Sequence, residues 1–138
     1  MKNRKLDFAQ LFMRIGLSLT MLSAVADRFG LWGKYAAWGN WENFDHYTQE
    51  LTFFLPTVLS HTSAYIATFF EILFSVCLLV GYKIKWVAYG TSALLLVFAL
   101  TMSIALGVKA PLDYSVWVGA FAAFLLAEQD SYRWSVGK

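Results

Sequence analysis

The chain has 138 residues, 59% of them hydrophobic and 14% charged, with a net charge of +2. So large an apolar share exceeds what a soluble core of this size absorbs, and cations so few and so scattered exclude a nucleic-acid surface. The length leaves room for one domain, 1–138, and the composition predicts an all-α fold: a membrane-embedded four-helix bundle with a short interfacial helix in the first external linker.

An apolar run that crosses roughly 30 Å of hydrocarbon at about 1.5 Å per residue needs about 20 residues. Four segments come close, at about 6–29, 63–80, 86–106 and 112–127, the last being the shortest. Met1 to Lys5 precede an apolar stretch interrupted by Arg14, and no small-residue cleavage pattern follows. The first helix is therefore expected to be a span and not a removed signal peptide.

Within that helix Arg14 is the one ionisable residue at mid-span, and Asp27 and Arg28 close its far end. At about 100° per residue, Arg14 and Arg28 fall within about 40° of each other on one face. The next segment, 30–62, is the longest linker and carries Trp32, Tyr35, Trp38, Trp41, Phe44 and Tyr47 at steps of three. From Trp41 the series Trp41, Phe44, Thr48, Leu51, Leu55 fits one helical face, which predicts an amphipathic interfacial helix ended by Pro56. The rings, Trp32, Trp38 and Trp41 foremost, read either as a membrane-interface belt or as an aromatic cap on the helix ends.

The second span holds Glu71. Counted from the ends of their segments, Arg14 and Glu71 share a depth on antiparallel helices, which predicts a direct ion pair in a polar core. Such a pair either fixes helix register or lines a cavity for a quinone-like or other amphiphilic ligand. Two tight turns follow, Gly81 to Lys85 and Gly107 to Pro111, and Lys109 and Asp113 flank Pro111. Asp27, Arg28, Lys109 and Asp113 are either solvated helix caps or one outer polar cluster.

Orientation follows from the cations in the short flanks. An inward N-terminus gives the cytoplasmic side Lys2, Arg4, Lys5, Lys83, Lys85, Arg133 and Lys138, against Arg28, Lys34 and Lys109 outside. Both ends are therefore expected in the cytoplasm, with the protein in the bacterial inner (plasma) membrane. Cys77 is the single cysteine, and His46 and His61 both lie in the linker. One chain so composed cannot run dithiol exchange, and its sequence shows no haem-holding histidine pair, no metal-ligand spacing and no catalytic constellation. No intrinsic cofactor or metal is expected, beyond a bound quinone or lipid.

The runs RIGLSLTMLSAVADRFGLWG (14–33), WGNWENFDHYT (38–48), ATFFEILFSVCLLVGYKIKW (67–86) and GVKAPLDYSVW (107–117) resemble the DoxX family of small four-helix membrane proteins. The markers are Arg14, Glu71, Gly81 and the turn Gly107, Lys109, Pro111, Asp113, Tyr114. That resemblance implies a four-helix membrane bundle and, for some relatives, association with oxidoreductase systems, among them a quinone-coupled thiosulfate-oxidising subunit. The expected function is a non-catalytic or ligand-binding subunit of a membrane redox complex, with lipid, redox subunits or a second copy as partners. A structural or assembly subunit is the alternative, and a small transporter stands third, because the sequence shows neither an inverted repeat nor a broken helix.

Overall fold

A computed structural model describes residues 4–136. Among these residues six α-helices run in chain order: α1 (Arg4–Arg28), α2 (Trp41–Leu51), α3 (Thr57–Val80), α4 (Ile84–Leu106), α5 (Lys109–Asp113) and α6 (Val116–Ala127), with a 3-10 turn at Gly33–Tyr35 before α2. The architecture is all-helical, and α1, α3 and α4 are each long and apolar enough to cross a membrane. Each of α1, α3, α4 and α6 packs against two others, so that the four close into a ring in that order. One end of the bundle carries the start of α1 and the described C-terminal segment up to Val136. The other carries the linker, α2 and α5.

The helices close on small residues and hydroxyls, as apolar helices do where lipid offers no hydrophobic incentive to associate. Ala88 and Ala99 of α4 and Ala120, Ala123 and Ala127 of α6 are fully buried, and Ser92 donates to the Ala120 carbonyl at 2.8 Å. Between α1 and α3 the corresponding contact is Ser18 Oγ to the Ser75 carbonyl at 3.0 Å. Leu17, Met21, Leu78, Ile84, Val87 and Leu126 fill the space among them.

Three local features differ from the sequence pattern. α2 stops at Leu51, a turn follows, and Pro56 opens α3 instead of ending α2. Proline at that place bars helix in the residue before it, and costs the following helix no hydrogen bond. α3 consequently starts at Thr57, well before 63. The fourth crossing is interrupted: Tyr114 and Ser115 separate α5 from α6, with Ser115 in the left-handed region at φ 58°. The expectation of unbroken helices therefore fails here. α6 by itself has 12 residues, about 18 Å, so the bilayer beside it must thin or the flanking side chains must reach outward.

Candidate functional site

The polar interior divides into two sites, one toward each end of the bundle. At the linker end, α1 terminates in Asp27 and Arg28, and neither is solvated. The Asp27 carboxylate accepts the backbone N–H groups of Ala37, Trp38 and Gly39 at 2.7, 3.0 and 2.9 Å. Three successive amides converging on one carboxylate form an anion nest, which folds the linker back over the helix end. Gly39 permits this bend with φ +84°, and a Cβ on Gly30 would meet the Gly39 carbonyl at 3.0 Å.

Arg28 turns the other way, into the bundle, and is 2% exposed. Its Nη2 donates to Glu71 Oε1 at 2.7 Å and its Nη1 to Thr68 Oγ1 at 2.7 Å, both on α3. The guanidinium carbon lies 3.8 Å from the Phe44 ring centroid and 5.4 Å from that of Trp38, so aromatic faces complete its enclosure. Trp38 meets Phe44 edge-on at 4.9 Å and Tyr47 at 5.5 Å, while Trp41 stacks on Tyr65 of α3 at 4.8 Å and on Phe29 at 5.8 Å. Burial, with Tyr114 and Glu50 nearby, pushes the Tyr47 hydroxyl above its ordinary pKa. α2 is fixed over this site by the Asn40 side chain, which accepts from the Asn43 N–H at 2.8 Å, and by His61 of α3, whose Nδ1 lies 2.5 Å from Asp45 Oδ2.

At the end opposite the linker, Arg14 is equally buried and, among the described residues, touches no carboxylate. Its Nε donates to the Leu78 carbonyl at 2.8 Å, Nη1 to the Arg133 carbonyl at 3.0 Å and Nη2 to the Trp134 carbonyl at 3.2 Å. Gln10, one turn earlier, donates to the Ser131 carbonyl at 3.0 Å, and Val136 N–H returns to the Gly81 carbonyl at 3.0 Å. The C-terminal segment is thus strapped across the bundle. It lies so close to Gly81 (φ +83°) that a Cβ there would sit 2.4 Å from the Trp134 carbonyl oxygen and 2.8 Å from Arg14 Nη2.

The predicted Arg14–Glu71 pair does not exist; Glu71 pairs with Arg28. Ser18 is level with Ser75, which sets Arg14 level with Leu78, about two turns from Glu71. Counting depth from segment ends assumed flush helices, whereas α1 overhangs α3 and lies against the C-terminal strap. Side chains also tilt toward the N-terminus of their own helix, so on antiparallel helices Arg14 and Glu71 point apart while Arg28 and Glu71 converge. The shared face of Arg14 and Arg28 is real in the sense that both turn toward α3. Asp27, Arg28, Lys109 and Asp113 do not form one cluster: Lys109 and Asp113 pair with each other at 2.7 Å on the exposed surface of α5. Among the three tryptophans, Trp38 lies over Arg28 and Trp41 packs on Phe44 beside it, whereas Trp32 sends its Nε1 back to the Ser23 carbonyl at 3.0 Å. Reasoning from sequence missed Thr68 and the strap, because neither a hydroxyl on an apolar helix nor a row of backbone carbonyls leaves a distinctive pattern.

The fold and these interior sites define a multi-pass, all-helical membrane protein. Compared with known families, residues 6–113 match MauE, methylamine utilisation protein MauE, and the chain belongs to that family. The resemblance to DoxX is corrected by this match. The DoxX markers include structural devices, such as the left-handed helix cap at Gly81 and the buried charges Arg14 and Glu71 within helices, that do not by themselves identify a family. No curated protein and no solved structure matches the chain.

Proposed function

We propose that the protein is a non-catalytic subunit of a membrane redox system serving methylamine utilisation. Membership of the MauE family supports the connection to methylamine. The observation that carries the non-catalytic part is the closed state of both interior sites: Arg28 and Glu71 hold α1 to α3 beneath an aromatic cap, and Arg14 holds the strap. These charges organise two surfaces, one at each end of the bundle, instead of facing a substrate.

On this reading the protein lies in the plasma membrane with its termini in the cytoplasm, an orientation that the cation count supports. Among the described residues Arg4, Lys5, Lys83, Lys85 and Arg133 lie at the end opposite the linker. Lys2 and Lys138 of the same count lie outside the described residues. At the linker end Arg28 is withdrawn into its ion pair, which leaves Lys34 and Lys109. In a Cys77→Ala background, cysteine at Glu42 labels with an impermeant thiol reagent in intact cells and cysteine at Asp130 does not; the reverse pattern would overturn the orientation.

Affinity purification of the tagged protein from native membranes tests the subunit role. Components of an amine-oxidising enzyme or its electron acceptor are expected to co-purify. Methylamine oxidation by the isolated chain would overturn the reading. The break at Tyr114–Ser115 favours a second reading, a small transporter, for which proteoliposomes would accumulate methylammonium.

A further inference from the structure

The four helices of the ring do not hold one another equally. α1 packs chiefly on α3 and α6 chiefly on α4, and each half has its own polar bonds. Ser18 reaches Ser75 and Arg28 reaches Glu71 in the α1–α3 half; Ser92 reaches Ala120, and Lys85 Nζ the Ala127 carbonyl at 2.7 Å, in the α4–α6 half. The seams between the halves differ. The α3–α4 seam holds a groove beside Phe74 and Gly90, but the chain itself turns across it at Tyr82 and Lys83, and α2 rests on both helices at the other end. Among the described residues α2 does not reach α6. Along the α1–α6 seam runs a gap of about 110 Å³, between Ala9 and Met13 of α1 and Ala122 and Leu125 of α6, with Gln10 and Gln129 also in its wall. The C-terminal segment bridges this seam. Tyr132 donates to the Leu126 and Ala127 carbonyls of α6. Ser131, Arg133 and Trp134 present their carbonyls to Gln10 and Arg14 of α1, and the Val136 N–H reaches Gly81 at the end of α3.

We propose that this segment is a releasable clasp, and that the bundle opens along the α1–α6 seam as α6 and α4 swing from α1 and α3 about the Tyr82–Lys83 turn. The clasped state carries two costs that opening removes. Trp134 holds φ 54°, in the left-handed region that a bulky residue adopts only at a penalty. Gln10 is 6% exposed, and its Oε1 is shut away without a donor, an arrangement that costs more than the bond itself is worth. Release frees the Trp134 backbone and brings the Gln10 amide to water. The clasp's own bonds suit release as well. Arg133 and Asp7, 3.4 Å apart, and the rings of Trp134 and Phe8, 5.6 Å apart, meet at the surface; the remaining bonds join side chains to neutral backbone groups, so lifting the segment strands no buried carboxylate. Arg14 keeps its bond to the Leu78 carbonyl, which holds α1 to α3 while the seam parts. The movement depends on neither reading of the protein's function.

Spin labels on the full chain in phosphatidylcholine nanodiscs, with Cys77→Ala throughout, read the movement by double electron–electron resonance. Phe12→Cys with Leu125→Cys spans the seam, and Phe12→Cys with Leu79→Cys stays within the α1–α3 half; all three positions are exposed. In the parent the shorter seam distance is expected to dominate. Ending the chain after Gln129 removes the clasp and should shift the seam pair to a longer distance, with the α1–α3 pair unchanged. Tyr132→Phe loosens only the hold on α6 and should populate the longer seam distance in part. It keeps the rest of the segment in place, so it carries the test if the shortened chain fails to fold. A seam distance unaltered in every variant that folds would overturn the clasp. Equal lengthening of the α1–α3 pair would also overturn it, since the bundle would then be loosening throughout instead of parting at one seam.

Discussion

The two ends of the bundle bury the same side chain in different ways. At the linker end Arg28 faces a carboxylate, a hydroxyl and two aromatic rings; at the other end Arg14 faces three backbone carbonyls. Glu71 neutralises the first cation, so removing either partner strands a charge. Carbonyl dipoles solvate the second, so removing Arg14 leaves only neutral acceptors. One site is an ion pair that fixes helix against helix, the other a clamp on a segment without regular structure, and their failure should differ in size and place.

The largest effect is expected from Arg28→Leu, which leaves Glu71 buried without compensation and should cost about 3 to 5 kcal/mol. Thermal melts in detergent check it. Adding Glu71→Leu should recover a substantial part, whereas combining Arg14→Leu with Glu71→Leu should give additive losses, since those residues do not touch. Coupling in the second cycle and none in the first would reverse the assignment of partners.

Arg14→Leu should cost less, about 1 to 3 kcal/mol for the abandoned carbonyls, and its clearest sign should be local. Trypsin should cut after Arg133 much faster than in the parent, while the linker stays protected. Gly81→Ala acts on the same clamp, through a left-handed backbone and a close approach to Trp134, and should add comparable loss with the same cleavage pattern. If either change instead exposed the linker, the two ends would be one cooperative unit.

Asp27→Asn tests the other end more gently. One amide oxygen replaces a carboxylate that holds three N–H groups, a loss of about 1 to 2 kcal/mol, and protease sensitivity should appear between Gly33 and Asn40. A melt unchanged from the parent would mean that the nest contributes nothing.

The smallest effect concerns alkali. Tyr132 donates to the Leu126 and Ala127 carbonyls at 2.7 and 3.0 Å, and burial, with Tyr89 and Glu128 nearby, pushes its hydroxyl up to about 12. A folded pKa above that of the unfolded chain favours the protonated form, so its stabilising contribution is present below about pH 10 and is lost as pH rises toward 12. Melting temperature should decline over that window, and Tyr132→Phe should flatten the decline. An identical pH profile for both proteins would exclude Tyr132 as its source.

Much of the fold was legible in the sequence because its causes are local. The apolar runs marked the three long apolar helices α1, α3 and α4, Gly81 marked a helix end, and the period of Phe44, Thr48 and Leu51 marked the buried face of α2. The charged residues of the candidate site were legible as residues: a lone Arg or Glu in a span demands a partner whatever the fold. Which partner it finds depends on helix register. Register is set by side-chain interlocking such as Ser18 against Ser75, and segment lengths do not encode it.

The sequence by itself therefore determined that the chain is helical, that it is built for a membrane, and that Arg14 and Glu71 require internal partners. Tertiary structure alone decided that Arg28 and not Arg14 meets Glu71, that Asp27 folds the linker through its amides, and that the C-terminal segment closes the opposite end. Apolar burial and helix formation respond to pattern along the chain, whereas pairing of buried polar groups responds to distances between segments that only packing fixes.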